Sequence, residues 1–186
     1  METTNIERYL ESFGKQVVNR SKGNLQRAGK GGDLEKSIHF EVIPDPENNG
    51  SFVVQFYMSS YGQFVDKGVS GNKKNQSYKS YNDKTITSPF SYTTKGPPID
   101  IISKWIKKKG IKGHGVAKGR SKNTGQYISG LAYLISASIK REGIKSLSFF
   151  QKPLGLGLKQ FGQELLGKVK EDIVSTLRTE QIIQVK

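Results

Sequence analysis

An α+β fold follows from three features of the 186-residue sequence: stretches of helical period, one pair of period-two runs, and long polar connections rich in glycine. The expected architecture is a small antiparallel sheet, a β-hairpin with possible extra strands, packed against several amphipathic helices and carrying long extended loops. Residues 1–186 read as one domain, large enough to bury roughly 70% of its unfolded surface without a disulfide or structural metal. No internal repeat or linker divides it.

The first helix is expected from Thr4, because Thr4 and Glu7 have the spacing of a capping box. Ile6, Leu10, Phe13 and Val17 then share one stripe, with Glu7, Glu11 and Lys15 off it. The stripe extends to Leu25 before Gly29, Gly31 and Gly32 end it. From Ser37 the period falls to two: Ile38, Phe40 and Val42 alternate with His39 and Glu41, and Phe52, Val54, Phe56 and Met58 alternate with Val53, Gln55 and Tyr57. That pair is a hairpin, and the turn formers from Pro44 to Gly50 make its tip long and protruding.

Residues 69–95 hold scarcely an aliphatic side chain after Val69 except Ile86 and read as an extended loop, a length that is usually functional or ordered by a partner. Pro98 then suits a first helical turn. Ile99, Ile102 and Ile106, with Ile101 and Trp105 alongside, give a short helix whose far side is Lys104, Lys107 and Lys108. A second extended loop, 112–125, leads to a helix carrying Tyr127, Ile128, Leu131, Leu134, Ile135 and Ile139, whose wide apolar face predicts the most buried helix. Gly143 reads as its cap and 146–153 as a connector. In the last helix Leu158, Phe161, Leu165, Val169, Ile173 and Leu177 keep the helical period, and the β-prone tail 181–186 could add a strand here or on a neighbour.

Lys and Arg number 30 against 16 Asp and Glu, a net charge of +14. By segment the net charge is −1 over residues 1–60, +11 over 61–130 and +4 over 131–186. A basic middle of this size points to a polyanion, an anionic membrane surface or an acidic protein. The N-terminal stretch has no apolar signal core, and no segment approaches the ~20 apolar residues of a membrane span. The absence of cysteine removes thiolate chemistry, disulfides and zinc-cysteine sites.

Catalytic chemistry has few parts to work with. His39 lies on a strand's outward face and His114 in a glycine loop, neither with a carboxylate near it in sequence. Asp66, Asp83 and Asp100 share no compact motif that would suggest a two-metal nuclease. The glycines at 29–32 and 113–119 lack the spacing of a phosphate loop, and no nucleophile elbow is present. The interleaving of Lys73, Lys74, Tyr78, Lys79, Tyr81, Lys84, Phe90 and Tyr92 suits unspecific, salt-dependent contact with nucleic acid.

The most specific stretch is Tyr61, Gly62, Gln63, Phe64, Val65, Asp66, Lys67, Gly68 following the hairpin. It resembles the bacteriophage tail-completion, or head-tail connector, family, in which a hairpin leads into a pattern like Y-G-x-Y-V-[DE]-x-G. Here Phe64 stands where that pattern often has tyrosine. Gly96-Pro97-Pro98-Ile99, Trp105-Ile106, Lys109-Gly110-Ile111 and Gly143-Ile144 extend the resemblance over roughly residues 34–153.

The resemblance implies a structural virion protein: a homo-oligomeric neck ring between the portal or adaptor ring and the tail proteins, with packaged double-stranded DNA in its lumen. It implies no catalytic residue, no cofactor, no metal and no membrane. Assembly would take place in the host cytoplasm, a reducing compartment that the missing cysteines suit. Tyr61, Gly62, Phe64, Val65, Asp66 and Gly68 become the packing motif and ring interface, with Tyr61 and Phe64 anchoring a helical turn and Gly68 releasing the chain. Lys73, Lys74, Lys79, Lys84, Lys118, Arg120 and Lys122 become candidates to meet DNA or an acidic partner. The alternatives are a free, non-specific DNA-binding protein and, less favoured, a phage nuclease.

Overall fold

The structure, a computed structural model of the chain, describes residues 5–45, 51–111, 118–120 and 127–183. The fold is α+β, its strands meeting in two-stranded sheets. The chain packs as two compact units, one of Met1–Gly62, Lys79–Lys84 and Ser148–Lys186, the other of Gln63–Tyr78 and Thr85–Leu147.

In the first unit α1 (Asn5–Arg27) buries Leu10, Phe13, Val17 and Leu25, the predicted stripe. Ser21 fills the remaining position, and its hydroxyl donates to the Val17 carbonyl at 2.8 Å, which satisfies a polar group inside the core. Thr4, and with it the capping box, lies outside the described residues. After α2 (Asp33–Ser37) come β1 (His39–Pro44) and β2 (Phe52–Tyr57), antiparallel from His39 opposite Tyr57 to Pro44 opposite Phe52. The hairpin stays two-stranded, and residues 46–50 of its tip lie outside the described ones.

Aromatic rings join the hairpin to the helices. Phe13 meets Phe56 at 6.2 Å and Phe161 at 5.1 Å between centroids, and Phe56 meets Phe150 at 5.4 Å. The first and last of these are edge-to-face and the second is tilted, and aromatic pairs of this kind add about 0.5–1.5 kcal/mol each beyond the area they bury. Gly14 lets the Phe40 ring lie against the α1 backbone, where any Cβ would overlap it.

Phe161 belongs to α6 (Gln151–Ile183), which packs along α1. Pro153 sits in its first turn, where a missing N–H breaks no helical bond, so the helix begins inside the expected connector. Gln181, Ile182 and Ile183 continue α6 and form no strand, because extending an existing helix requires no new nucleus. Residues 184–186 of the tail lie outside the described ones.

The chain passes into the second unit through α3 (Gly62–Lys67). The expected loop 69–95 contains β3 (Val69–Ser70), β4 (Ser77–Lys79) and β5 (Thr85–Thr87), with β4 and β5 paired. Its serines supply what an aliphatic core does not. Ser70 and Ser88 are buried, the Ser88 hydroxyl donates to the Gly68 carbonyl at 2.7 Å, and Ser70 Oγ accepts the Gln76 amide at 3.0 Å.

Further on, α4 (Ile99–Lys108) packs on α5 (Gly130–Glu142), burying Ile102, Ile106 and Ala132 among Ile99, Leu131, Ile135 and Ile139. Tyr127 and Ile128 are not on that helix. They lie in β7 (Tyr127–Ser129), paired antiparallel with β6 (Lys118–Arg120), and Gly130 marks the change to helix. Nor is α5 the most buried helix, since Tyr133 and Leu134 are 57% and 53% exposed, while its sides toward α4 and toward Gly96-Pro97 are covered. The rest of the loop 112–125 lies outside the described residues.

Candidate functional site

Some of the residues singled out in sequence, Gly68, Gly143 and Ile144 among them, meet at the junction of β3 with β8 (Gly143–Ile144), where Val69 pairs with Ile144 and Ser70 with Gly143. Gly68 has φ +74°, and a Cβ on it would stand 2.7 Å from the Ile144 carbonyl oxygen and 2.8 Å from the Ser146 nitrogen. Gly143 has φ +79° and is equally crowded, by the Val69 carbonyl oxygen. Both positions combine a left-handed backbone with a close approach of two chain segments, so only glycine fits.

The short helix α3 is tied to the same junction. Leu147 donates its amide to the Val65 carbonyl at 3.1 Å, and the Ser146 hydroxyl donates to the Asp66 carbonyl at 2.6 Å. Asp66 is buried and Val65 half-buried. Tyr61 and Phe64, expected to anchor the turn, are 45% and 40% exposed. Phe64 packs edge-on against Phe90 at 4.6 Å, and Val65, Asp66 and Gly68 tie the turn to the junction through the backbone. Gly62, in the first unit, is buried, with Met58 Sδ 2.8 Å and Leu34 Cδ1 2.9 Å from where its Cβ would be.

The proline segment meets α5 in the same unit. The Ser136 hydroxyl donates to the Pro97 carbonyl at 2.7 Å, and Gly96 lies against Lys140. Ile99 and Ile106 share the α4–α5 core.

The lysines divide between the units. Lys73 and Lys74, both exposed, are in the second, while Lys79 and Lys84, also exposed, flank the β4–β5 turn in the first. There the Lys79 amide donates to Ser148 Oγ at 3.1 Å and its ammonium to the Asp83 carbonyl at 3.4 Å. Lys118 and Arg120 occupy β6 opposite Ser129 and Tyr127, and Lys122 lies outside the described residues. Sequence reasoning missed Lys152 and Lys159. They line a cavity of about 300 Å³ with Lys79, and Lys159 pairs with Asp83 at 3.6 Å. Their signal was weak because they lie some 70 residues from Lys79 in the chain.

Of the histidines, His39 stacks on Tyr57 at 4.9 Å with Nδ1 2.9 Å from the Ser37 carbonyl oxygen, and His114 lies outside the described residues. Asp100 lies in the first turn of α4. Among the described residues no three acidic, histidine or cysteine side chains gather as metal ligands, and no helix is long and apolar enough to cross a membrane. No family model, curated protein or solved structure matches the chain.

Proposed function

We propose that the chain is a structural virion protein of a bacteriophage, a ring subunit of the head-tail connector that joins portal to tail around the DNA channel. One observation carries the reading: pieces of the resembling sequence that are far apart in the chain meet in one unit. Gly68 packs on Ile144 and Ser146, Gly143 opposes Ser70, and Gly96-Pro97 rests on α5. An isolated strand-to-helix corner would need only the first piece.

On this reading the exposed Tyr61 and Phe64 are contacts to neighbouring subunits, and the basic residues meet the packaged DNA or acidic neighbours. Its partners are further copies of itself, the portal or adaptor ring, tail proteins and double-stranded DNA held without sequence preference. The test is complementation with variants. Tyr61→Ala removes an exposed ring and leaves a soluble, folded subunit, yet filled heads should fail to acquire tails. Gly68→Val should fail as well. Normal tailed particles with both variants would overturn the assigned role of this turn.

A free DNA-binding protein is favoured by one fact, the net charge of +12 on the second unit, from fifteen basic and three acidic residues. It differs in predicting that the isolated monomer binds duplex DNA with an affinity falling steeply with salt.

A further inference from the structure

Two exposed apolar faces of opposite charge have no part in the junction described above. The first is on α4. Ile102 and Ile106 are buried toward α5, whereas Ile101 and Trp105, one helical turn apart, are 59% and 46% exposed. Lys104 and Lys108 fall on the same side by their three- and four-residue spacing, and the only carboxylate of the helix is Asp100, in its first turn.

The second face is the outer side of the hairpin. Phe40, Val42, Val54 and Phe56 point inward, leaving His39, Glu41, Val53, Gln55 and Tyr57 exposed. Register sets Tyr57 beside His39 and Gln55 beside Glu41, and the Tyr57 hydroxyl donates to Gln55 Oε1 at 2.6 Å with the Glu41 carboxylate 3.3 Å from it. Between Lys36 and Gly62, within the first unit, the sequence contains no lysine or arginine, but it does contain Glu41, Asp45 and Glu47.

We infer that the α4 face of one copy docks on the outer hairpin face of a second copy, with Ile101 and Trp105 seated against Val53 and Tyr57 and Lys104 and Lys108 facing Glu41. The inference rests on the ring reading and supplies it with a contact. Each patch has the make-up of an interface core, an aromatic anchor with an aliphatic neighbour, and their charges are complementary. The two patches are different surfaces of one chain, so the contact is head-to-tail, the type that closes into a ring or runs on as a filament. A DNA backbone would satisfy the lysines but offers nothing to Ile101 and Trp105.

Trp105 is the only tryptophan in the chain, so its emission reports this face without labelling. In a concentration series of the full chain, association measured by sedimentation should be accompanied by a blue shift of that emission. Ile101→Asp and Glu41→Lys should each weaken association by tenfold or more, on the order expected for losing an interface anchor or charge pair. Circular dichroism checks that both variants remain folded. Each variant keeps one intact face, so mixing them should yield a one-to-one dimer that grows no further.

A mixture that stays monomeric, association that leaves Trp105 emission unchanged, or a shift produced by duplex DNA and not by the chain itself would overturn the contact. The neck reading can fail separately. Heterodimers from the mixture with no copies of the chain in virions would sink that reading alone, and normal incorporation of Ile101→Asp into virions would sink this contact alone.

Discussion

In the first unit Phe13, Phe56, Phe150 and Phe161 meet ring to ring, and fifteen basic residues are nearly balanced by thirteen acidic ones. In the second, the buried hydrophobic side chains among the described residues are Val69, Ile102, Ile106 and Ala132, serine hydroxyls close the backbone, and fifteen basic residues meet three acidic ones. The first unit is held largely by area and aromatic packing, with close passages of its own where Gly155 meets the Tyr81 backbone and Gly14 meets the Phe40 ring. The second depends on close backbone passages at Gly68 and Gly143 and carries a self-repulsion that an anionic or acidic partner would relieve. The proposed assembly contacts draw on both units, Tyr61, Val53, Tyr57 and Glu41 from the first and Phe64, Ile101 and Trp105 from the second, so the units differ in charge and in what packs their cores rather than in which of them assembles.

The sharpest break in that contrast is a side chain at the β3–β8 junction. Gly143→Val puts a β-branched residue at φ +79° against backbone, and it should cost more than about 4 kcal/mol, enough to open the second unit. Hydrogen exchange should show lost protection across 63–78, 85–111 and 127–147 with the described amides of the first unit little changed; uniform loss would mean that the two units fold as one. Phe149→Ala, at a side chain 1% exposed in the first unit, should cost about 3–5 kcal/mol by chemical denaturation, as expected for a large core truncation. A cost below 1 kcal/mol would contradict the packing account.

The smallest expected effect is on pH dependence. Desolvation, and then the hydrogen bond to and charge of Glu164, push the Tyr9 hydroxyl up to about 12 from its ordinary 10.0. A raised folded-state value means that the stability from neutral Tyr9 is complete below pH 10.0 and is lost as pH rises from there through about 12. Tyr9→Phe should flatten the alkaline decline of the melting temperature, and an unchanged slope would remove Tyr9 from the account.

Where one face alone meets the core, the sequence was readable. The α1 stripe, the inward face of the hairpin and the Ile102–Ile106 edge of α4 all follow from period, because there apolar spacing and burial coincide; Ile101, Trp105 and Val53 are apolar yet exposed, which period does not reveal. Where burial is polar, it was not. Residues 69–95 look like an open loop because serine has little hydropathy, yet Ser70 and Ser88 are buried and hydrogen-bonded. The wide apolar face of α5 misled for the converse reason: nothing in Tyr133 or Leu134 says whether a neighbour covers it.

The candidate site was legible in its glycines and less so in its aromatics. Gly68 and Gly143 proved to need their positive φ, whereas Tyr61 and Phe64, expected as anchors, are exposed. Lys152 and Lys159 escaped notice because their nearness to Lys79 exists only in three dimensions.

The most direct test of the neck-ring assignment is the copy number of this chain in purified, DNA-filled virions, measured by quantitative mass spectrometry against the major capsid and portal proteins. The account predicts a fixed number of copies per particle equal to one ring or a small multiple of it. Absence from the particles, or a trace amount varying between preparations, would contradict it.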